Sequence, residues 1–187
     1  MNKITNAEAA KPPFQTDMKT IRARAREKIE SGAVTAGYSG DRALVIDLLN
    51  DALASEIVCV LRYKRHYFMA EGIHSESVAA EFAEHAADEQ RHADMIAKRI
   101  VQLRGAPEFS PEGMLSRSHT EYVEVESLSE MLKENLVAER IAIDTYREMV
   151  QYIGDRDPTT KRMLEEILAD EECHADDLSS LLKNFGA

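Results

Sequence analysis

A Glu-x-x-His pair occurs twice in this chain, at Glu89 and His92 and at Glu171 and His174. Each pair follows a further glutamate at nearly the same distance, Glu56 by 33 residues and Glu139 by 32. Three helical positions turn through about 300°, so both members of a pair share one helix face. A chain that folds back at the midpoint then brings the preceding glutamate level with its pair. The midpoints fall at residues 72 to 73 and at 155, beside Gly72 and Gly154. The spacing therefore predicts two helical hairpins, each laying one glutamate against one Glu-x-x-His pair.

The apolar pattern agrees. After Asp41, Leu49, Leu53, Glu56, Val60, Tyr63 and Tyr67 follow one another at steps of three and four, the rhythm of one helix face. Val78, Phe82, His85, Glu89, His92, Ile96 and Arg99 repeat it, and the second helix is expected to end near Arg104, before Gly105 and Pro107. Residues 106–126 carry two prolines, a glycine and the run SRSHTEYVEVES, and read as a long irregular crossover. Ser127 and Glu130 form a capping-box signature for a third helix, with Leu128, Leu132, Asn135, Glu139, Ala142, Tyr146, Met149 and Ile153 inward. Asp157 and Pro158 suit the cap and first turn of a fourth, with Leu164, Ile167, Glu171, His174, Leu178, Leu181 and Phe185 inward. The result is an all-α four-helix bundle over 41–187, built as hairpin, long crossover and hairpin, with its helices crossing at about 20°.

Residues 1–40 read as a partly irregular extension around one short helix from Asp17 to Glu30. No run of about 18 apolar residues is present, and the opening MNKITNAEAAKPPFQ lacks an export core, so a cytoplasmic protein with no membrane association is expected. Cys59 and Cys173 then read as reduced thiols. The chain carries a net charge of -11, but residues 1–30 hold seven basic side chains against four acidic ones, which leaves -14 on the other 157 residues. That acidic body attracts cations and repels polyanions, and it argues against wholesale wrapping of nucleic acid.

Glu56, Glu89, His92, Glu139, Glu171 and His174 each interrupt an inward apolar stripe. Buried carboxylates without partners cost several kcal/mol or surrender their charge, so such a cluster calls for cations. Four carboxylates and two imidazoles suit iron or manganese better than thiolate-seeking metals. A lone Glu-x-x-His on a helix is usually a surface salt-bridge partner; two, each with its inward glutamate in register, form a candidate two-metal site. The halves also resemble each other, DEQRHAD at Asp88–Asp94 against DEECHAD at Asp170–Asp176, with Tyr63 and Tyr146 each seven residues after its glutamate. Tyr146 is read as core, and Tyr63 as either core or a partner of the ligands. His85 could stand behind the site. His66, His74 and His119 are read as ordinary polar residues, and both cysteines as inert.

From Asp41 to Phe185 the chain resembles the bacterioferritin branch of the ferritin-like superfamily, through ALASEIVCVLRY, DEQRHAD, NLVAERIAI and LADEECHADDL. The resemblance implies two irons held by the six residues, a bridging role for Glu89 or its equivalent, and Tyr63 close by as a seventh catalytic candidate. It further implies a ferroxidase that oxidises Fe(II) with O2 or H2O2 and stores Fe(III) in a homo-oligomeric shell, relieving oxidative stress. Haem-binding relatives place methionine immediately after the first glutamate of the second-helix motif; here it is Gln90, so no haem is expected. The chain stops thirteen residues after His174, which favours a 12-subunit shell like the Dps-like mini-ferritins over a 24-subunit one. The cysteine that some of those place after A-E-R is Ile141 here. Two other functions compete: peroxide removal of the rubrerythrin or manganese-catalase kind, which uses the same ligand scheme, and a DNA-protecting Dps-like shell using the basic segment Lys19–Lys28. The first lacks rubredoxin-like Cys-x-x-Cys pairs, and the second competes with a simple solvated helix.

Overall fold

The computed structural model describes residues 14–72 and 75–185, with side chains through Lys183. The chain divides into two compact units after Gly37. In the first, Asp17 caps α1 (Met18–Arg24) by accepting from the Thr20 backbone N–H at 3.0 Å and hydroxyl at 2.6 Å. The helix is shorter than the 17–30 stretch expected. Its bonds tighten from four-residue to three-residue spacing at Arg26 and Glu27, Lys28 turns left-handed, and only one 3-10 turn (Ile29–Ser31) follows. No side chain of α1 is buried, so no packed face extends it.

The second unit is built from α2 (Arg42–Met69), α3 (Ser75–Gln102), a single turn α4 (Met114–Arg117), α5 (Leu128–Ile153) and α6 (Pro158–Phe185). Asp41 caps α2 through the Leu44 N–H, and Ser127 caps α5 through the Glu130 N–H while donating its own hydroxyl to Glu130. The two hairpin turns use left-handed backbone at Gly72 (φ 112°) and Gly154 (φ 51°), where a side chain would be strained. Asp157 closes the far end. It caps α6 through Thr160, accepts two bonds from Arg99 at 2.7 and 2.9 Å, and accepts a third partner, the Tyr38 hydroxyl, at 3.0 Å. Asp157 and Arg99 are both buried, so removing either partner alone should cost about 3–5 kcal/mol.

α2 pairs with α3 and α5 with α6. The crossover fixes how the hairpins meet, because it runs along α2. Glu108 N–H bonds Asn50, Met114 packs on Ala54 and Val58, His119 N–H bonds Ser55, and Arg62 holds the Glu121 carbonyl. It therefore delivers α5 to the C-terminal end of α2, and those two helices run antiparallel. The turn at α4 lies inside a stretch expected to be irregular throughout. It forms because Met114 buries its side chain beneath the segment.

Most residues of the expected inward faces are buried; Leu128, Ala142 and Leu181 are half-buried at the edges of the apolar clusters. Tyr67 is 40% exposed and rests on Phe68. Phe185 lies outside the residues whose side chains are described. Two apolar clusters fill the bundle. One gathers Leu49, Leu53, Ile96, Ile100, Leu164 and Ile167 with their neighbours, and a smaller one gathers Tyr63, Val78, Phe82, Met131, Leu132 and Leu178. Between them lies a polar band.

Candidate metal centre

That band contains all six residues singled out from the sequence, each at most 5% exposed. Each helix delivers its share by register: Glu56 from α2, Glu89 and His92 from α3, Glu139 from α5, Glu171 and His174 from α6. Glu56, Glu89, His92 and Glu171 can each offer one ligand atom with all four atoms within 4.8 Å of one another. Glu89, Glu139, Glu171 and His174 form a second such group. Glu89 and Glu171 belong to both, while Glu56 with His92 and Glu139 with His174 each belong to one. This is the layout of two adjacent cation positions with two shared carboxylates.

The atoms that face inward have no hydrogen-bond partner. They are Glu56 Oε2, Glu89 Oε1, His92 Nδ1, Glu139 Oε2, both Glu171 carboxylate oxygens and His174 Nδ1. His92 Nδ1 lies 3.2 Å from Glu171, 3.5 Å from Glu56 and 3.6 Å from Glu89, and His174 Nδ1 lies 3.5 Å from Glu171 and 3.8 Å from Glu89. So many buried acceptors with unused lone pairs are costly unless cations fill the space between them. Their acidities agree. Burial first, then the charges of Glu56 and Glu139, hold the Glu89 carboxyl well above its usual range; burial and Glu171 do the same to Glu139. Burial and Glu89 raise Glu171. Burial disfavours a charged His92, but the facing carboxylates of Glu171, Glu56 and Glu89 outweigh it and raise its pKa. A pair of divalent ions would reverse these shifts by replacing mutual repulsion with attraction.

Each imidazole is held from behind by the opposite hairpin. Asp170 Oδ2 lies 3.2 Å from His92 Nε2, and Asp88 Oδ2 lies 3.5 Å from His174 Nε2. A proton on Nε2 leaves the Nδ1 lone pair facing the centre, the arrangement that orients histidine ligands in metal sites. Arg91 steadies both aspartates, at 2.7 Å to Asp170 and 3.2 Å to Asp88. Helical rhythm does not mark these aspartates; their shared place just before each paired glutamate is the signal the sequence holds for them.

Tyr146 is buried in the larger apolar cluster, as its reading as core expects, and its hydroxyl also reaches the site. Tyr63 donates its hydroxyl to Glu139 and Tyr146 donates to Glu56, each reaching across to the other hairpin. Burial and then the facing carboxylates push both phenols far up, so both remain O–H donors. His85 Nδ1 lies 3.1 Å from the Tyr63 hydroxyl, and its ring stacks on His174 with centroids 4.0 Å apart. Burial, then the neighbouring His174, push His85 down to about 3, so the ring is neutral.

His66 and His119 are not free surface groups. His66 is fully buried against Asn135, and His119 Nδ1 meets Ser55 Oγ at 3.0 Å. His74 lies outside the described residues. A buried Arg62, which the helical rhythm did not mark, donates to Asn135, the Glu121 carbonyl and Cys59 Sγ. Cys59 is buried and Cys173 exposed, both as free thiols.

A ferritin-like domain model matches residues 46–186. The bacterioferritin of Desulfovibrio desulfuricans is 30% identical over 156 residues, spanning 81% of this chain and 83% of its own length. A dodecameric thioferritin of Bacteroides fragilis, described as bacterioferritin-related, superposes with a TM-score of 0.75 at 34% identity over 78% of this chain and 88% of its own. The bacterioferritin of Rhodobacter capsulatus, whose structure is described as having a metal-free dinuclear site and a haem iron, superposes with a TM-score of 0.67 at 30% identity, over 79% and 88%. The chain belongs to the ferritin-like family, among the relatives of bacterioferritin.

Proposed function

We propose that this chain is the ferroxidase subunit of an iron-storing, iron-detoxifying shell, with Glu56, Glu89, His92, Glu139, Glu171 and His174 as the ligands of two irons. The observation that carries the reading is the set of buried, partnerless ligand atoms converging in two groups that share Glu89 and Glu171. A second support is kinship with bacterioferritins, one of which is described as having a diiron site in different catalytic states.

Two Fe(II) ions enter as substrate and each loses one electron. When H2O2 is the oxidant, its O–O bond breaks, and the two electrons with two protons from solvent give two waters. The protein's part is to bind, orient and hold protons. Glu89 and Glu171 span both positions and fix their separation. Asp170 and Asp88 keep the imidazole lone pairs turned inward. Tyr63 and Tyr146 each hold one carboxylate oxygen, which leaves the other free for a cation. The apolar clusters above and below exclude bulk water from the band, which strengthens the attraction of the carboxylates for cations.

Finer points belong to the same proposal. Iron is preferred to manganese because the diiron description attaches to a relative. A 12-subunit assembly is preferred because the Bacteroides relative is dodecameric. Haem is not expected, since Gln90 is exposed and bonds Asp94 at 3.2 Å, and its amide is a poor iron ligand. Among the described residues no helix is long and apolar enough to cross a membrane, which accords with a cytoplasmic location.

The test is anaerobic loading of the purified metal-free protein with Fe(II), followed by O2 or H2O2, while bound iron and particle size are measured together. Two irons oxidised per chain, then a growing mineral within a particle of fixed size, are expected. Turnover of peroxide without mineral would instead favour a peroxide-removing enzyme, and fewer than two irons per chain would sink the site. Haemin titration should produce no new Soret band.

A further inference from the structure

The relation between the two hairpins breaks at one place with a chemical consequence. Glu89 corresponds to Glu171 and His92 to His174, so in the same register Glu81 and His85 of α3 correspond to Met163 and Ile167 of α6, and Asp177 of α6 corresponds to Met95 of α3. At the His92 end this trio is apolar, with Ile167 in the larger buried cluster and both methionines packed on it. At the His174 end, Glu81, His85 and Asp177 each offer a ligand atom, all within 4.8 Å of one another. They line an open cleft of about 210 Å³ that also reaches Glu84, Asp88 and His174. The cleft's one basic side chain, Arg91, is engaged by Asp88 and Asp170.

Exposed carboxylates often gather without an ion; His85 is what distinguishes this group. Its ring is only 2% exposed, with Nδ1 3.1 Å from the Tyr63 oxygen and Nε2 3.4 Å from Glu81 Oε1. Tyr63 has one hydrogen and donates it to Glu139, so its oxygen must accept from His85 Nδ1–H. A neutral imidazole with its hydrogen on Nδ1 has a bare lone pair on Nε2. That lone pair faces the Glu81 carboxylate at 3.4 Å, and Asp177 supplies a third acceptor. Acceptors that converge in this way are satisfied by a cation. The step rests on the proposed function, because it takes Glu139 to be an ionised metal ligand.

We propose that Glu81, His85 and Asp177 bind a third divalent cation, Fe(II) in the working protein, at the mouth of the cleft. One imidazole and two carboxylates suit such an ion. Two of the three ligands are solvent-accessible, so this ion exchanges more freely than those in the buried band. His85 also forms a 4.8 Å group with Glu139 and His174. One ring thus belongs both to the outer group and to a group containing two ligands of the centre, which makes the outer position a loading station for iron on its way inward.

The test uses the full chain and a Glu81→Gln/Asp177→Asn double variant, which leaves His85 and all six ligands of the centre in place. Crystals soaked anaerobically in Co(II) are measured at the cobalt edge, and Co(II) binding is titrated in solution. The wild type should show three anomalous peaks and three ions per chain, and the variant two. Fe(II) oxidation by the variant should show a higher KM with kcat little changed. Two central peaks in the wild type with none among Glu81, His85 and Asp177 would overturn the proposal. So would a third peak that persists in the double variant. An outer peak beside an empty centre would uphold this site and overturn the proposed function, so the two failures are distinct.

Discussion

At the His92 end of the polar band, Met95, Met163 and Ile167 belong to the larger apolar cluster; at the other, Asp177, Glu81 and His85 line a polar cleft that reaches His174. The ligands themselves are matched, one terminal glutamate, one histidine and the two shared glutamates on each side. The difference lies in what stands behind them. His92 has Asp170 at 3.2 Å, itself gripped by Arg91 at 2.7 Å, while His174 has Asp88 at 3.5 Å with Arg91 at 3.2 Å, and a second imidazole stacked on its ring. A repeated hairpin can make two ligand sets alike, but access and firmness are set by neighbours that need not repeat. The closed end should retain its ion, and the open end should load and exchange.

The largest effects should come where the halves are joined. Glu89→Ala or Glu171→Ala removes a carboxylate common to both positions, so both ions should be lost. Ferroxidase activity should then fall by more than the about 100-fold seen when only a supporting residue is removed. Glu56→Ala and Glu139→Ala should each cost one ion by anaerobic Co(II) titration. A central ion bound at full strength by the Glu89→Ala protein, in addition to the one at Glu81, His85 and Asp177, would break the shared-carboxylate layout. Next come the supporting aspartates. Asp170→Asn and Asp88→Asn should each weaken metal binding by about 10–100-fold, with Asp170→Asn toward the upper figure because its bonds are shorter. Equal losses would remove the difference in firmness.

An effect of the same order is expected from the phenols. Tyr63→Phe and Tyr146→Phe each delete a hydroxyl bonded to a carboxylate, worth about 1.5–3 kcal/mol, or roughly tenfold to a hundredfold in affinity. If Tyr63 also fixes the His85 tautomer, only Tyr63→Phe should weaken the outer cation as well, which competitive Co(II) titration would reveal.

The hairpins and all six candidate ligands were legible in the sequence because helical rhythm forces an inward glutamate or histidine to stand out from an apolar stripe. Rhythm marks one face of a helix only. α2 is covered on a second face by the crossover, so Arg62, Ser55 and Cys59 are buried although they lie off the stripe. His66, off the stripe as well, is buried for a related reason, since its partner Asn135 lies 69 residues away on another helix. Tyr146 is core, as its spacing indicates, but an aromatic packs equally well with or without a bond to its hydroxyl; only the antiparallel crossing of α2 and α5 brings that hydroxyl to Glu56. The asymmetry of the ends could be read from Glu81, His85 and Asp177 against Met163, Ile167 and Met95, but only once the two hairpins had been set in register. α1 broke earlier than its composition implied because helix propensity without a buried face does not hold fourteen residues together.

The smallest expected effect is on the metal-free protein, and it follows from the crowded carboxylates. Glu89, Glu139 and Glu171 all have folded pKa values raised above the usual glutamate value of 4.5. The folded state therefore holds protons that the unfolded chain has released, so this contribution to stability is full below about pH 4.5 and is lost as pH rises through the folded values. His92, raised above 6.5, acts in the same sense. His66 and His85, lowered to about 4 and about 3, act oppositely, adding stability as pH rises toward 6.5 and nothing further above it. Above pH 6.5 only the falling contributions remain. The metal-free protein should melt lower at pH 8 than at pH 6.5, by a few degrees for each kcal/mol lost. Glu139→Gln, which takes one crowded carboxylate from the open end, should flatten the slope, and saturating Co(II) should invert it, because cations bind the ionised form. A metal-free melting temperature that climbs from pH 6.5 to 8 would mean that the carboxylates are already relieved by some partner other than a metal.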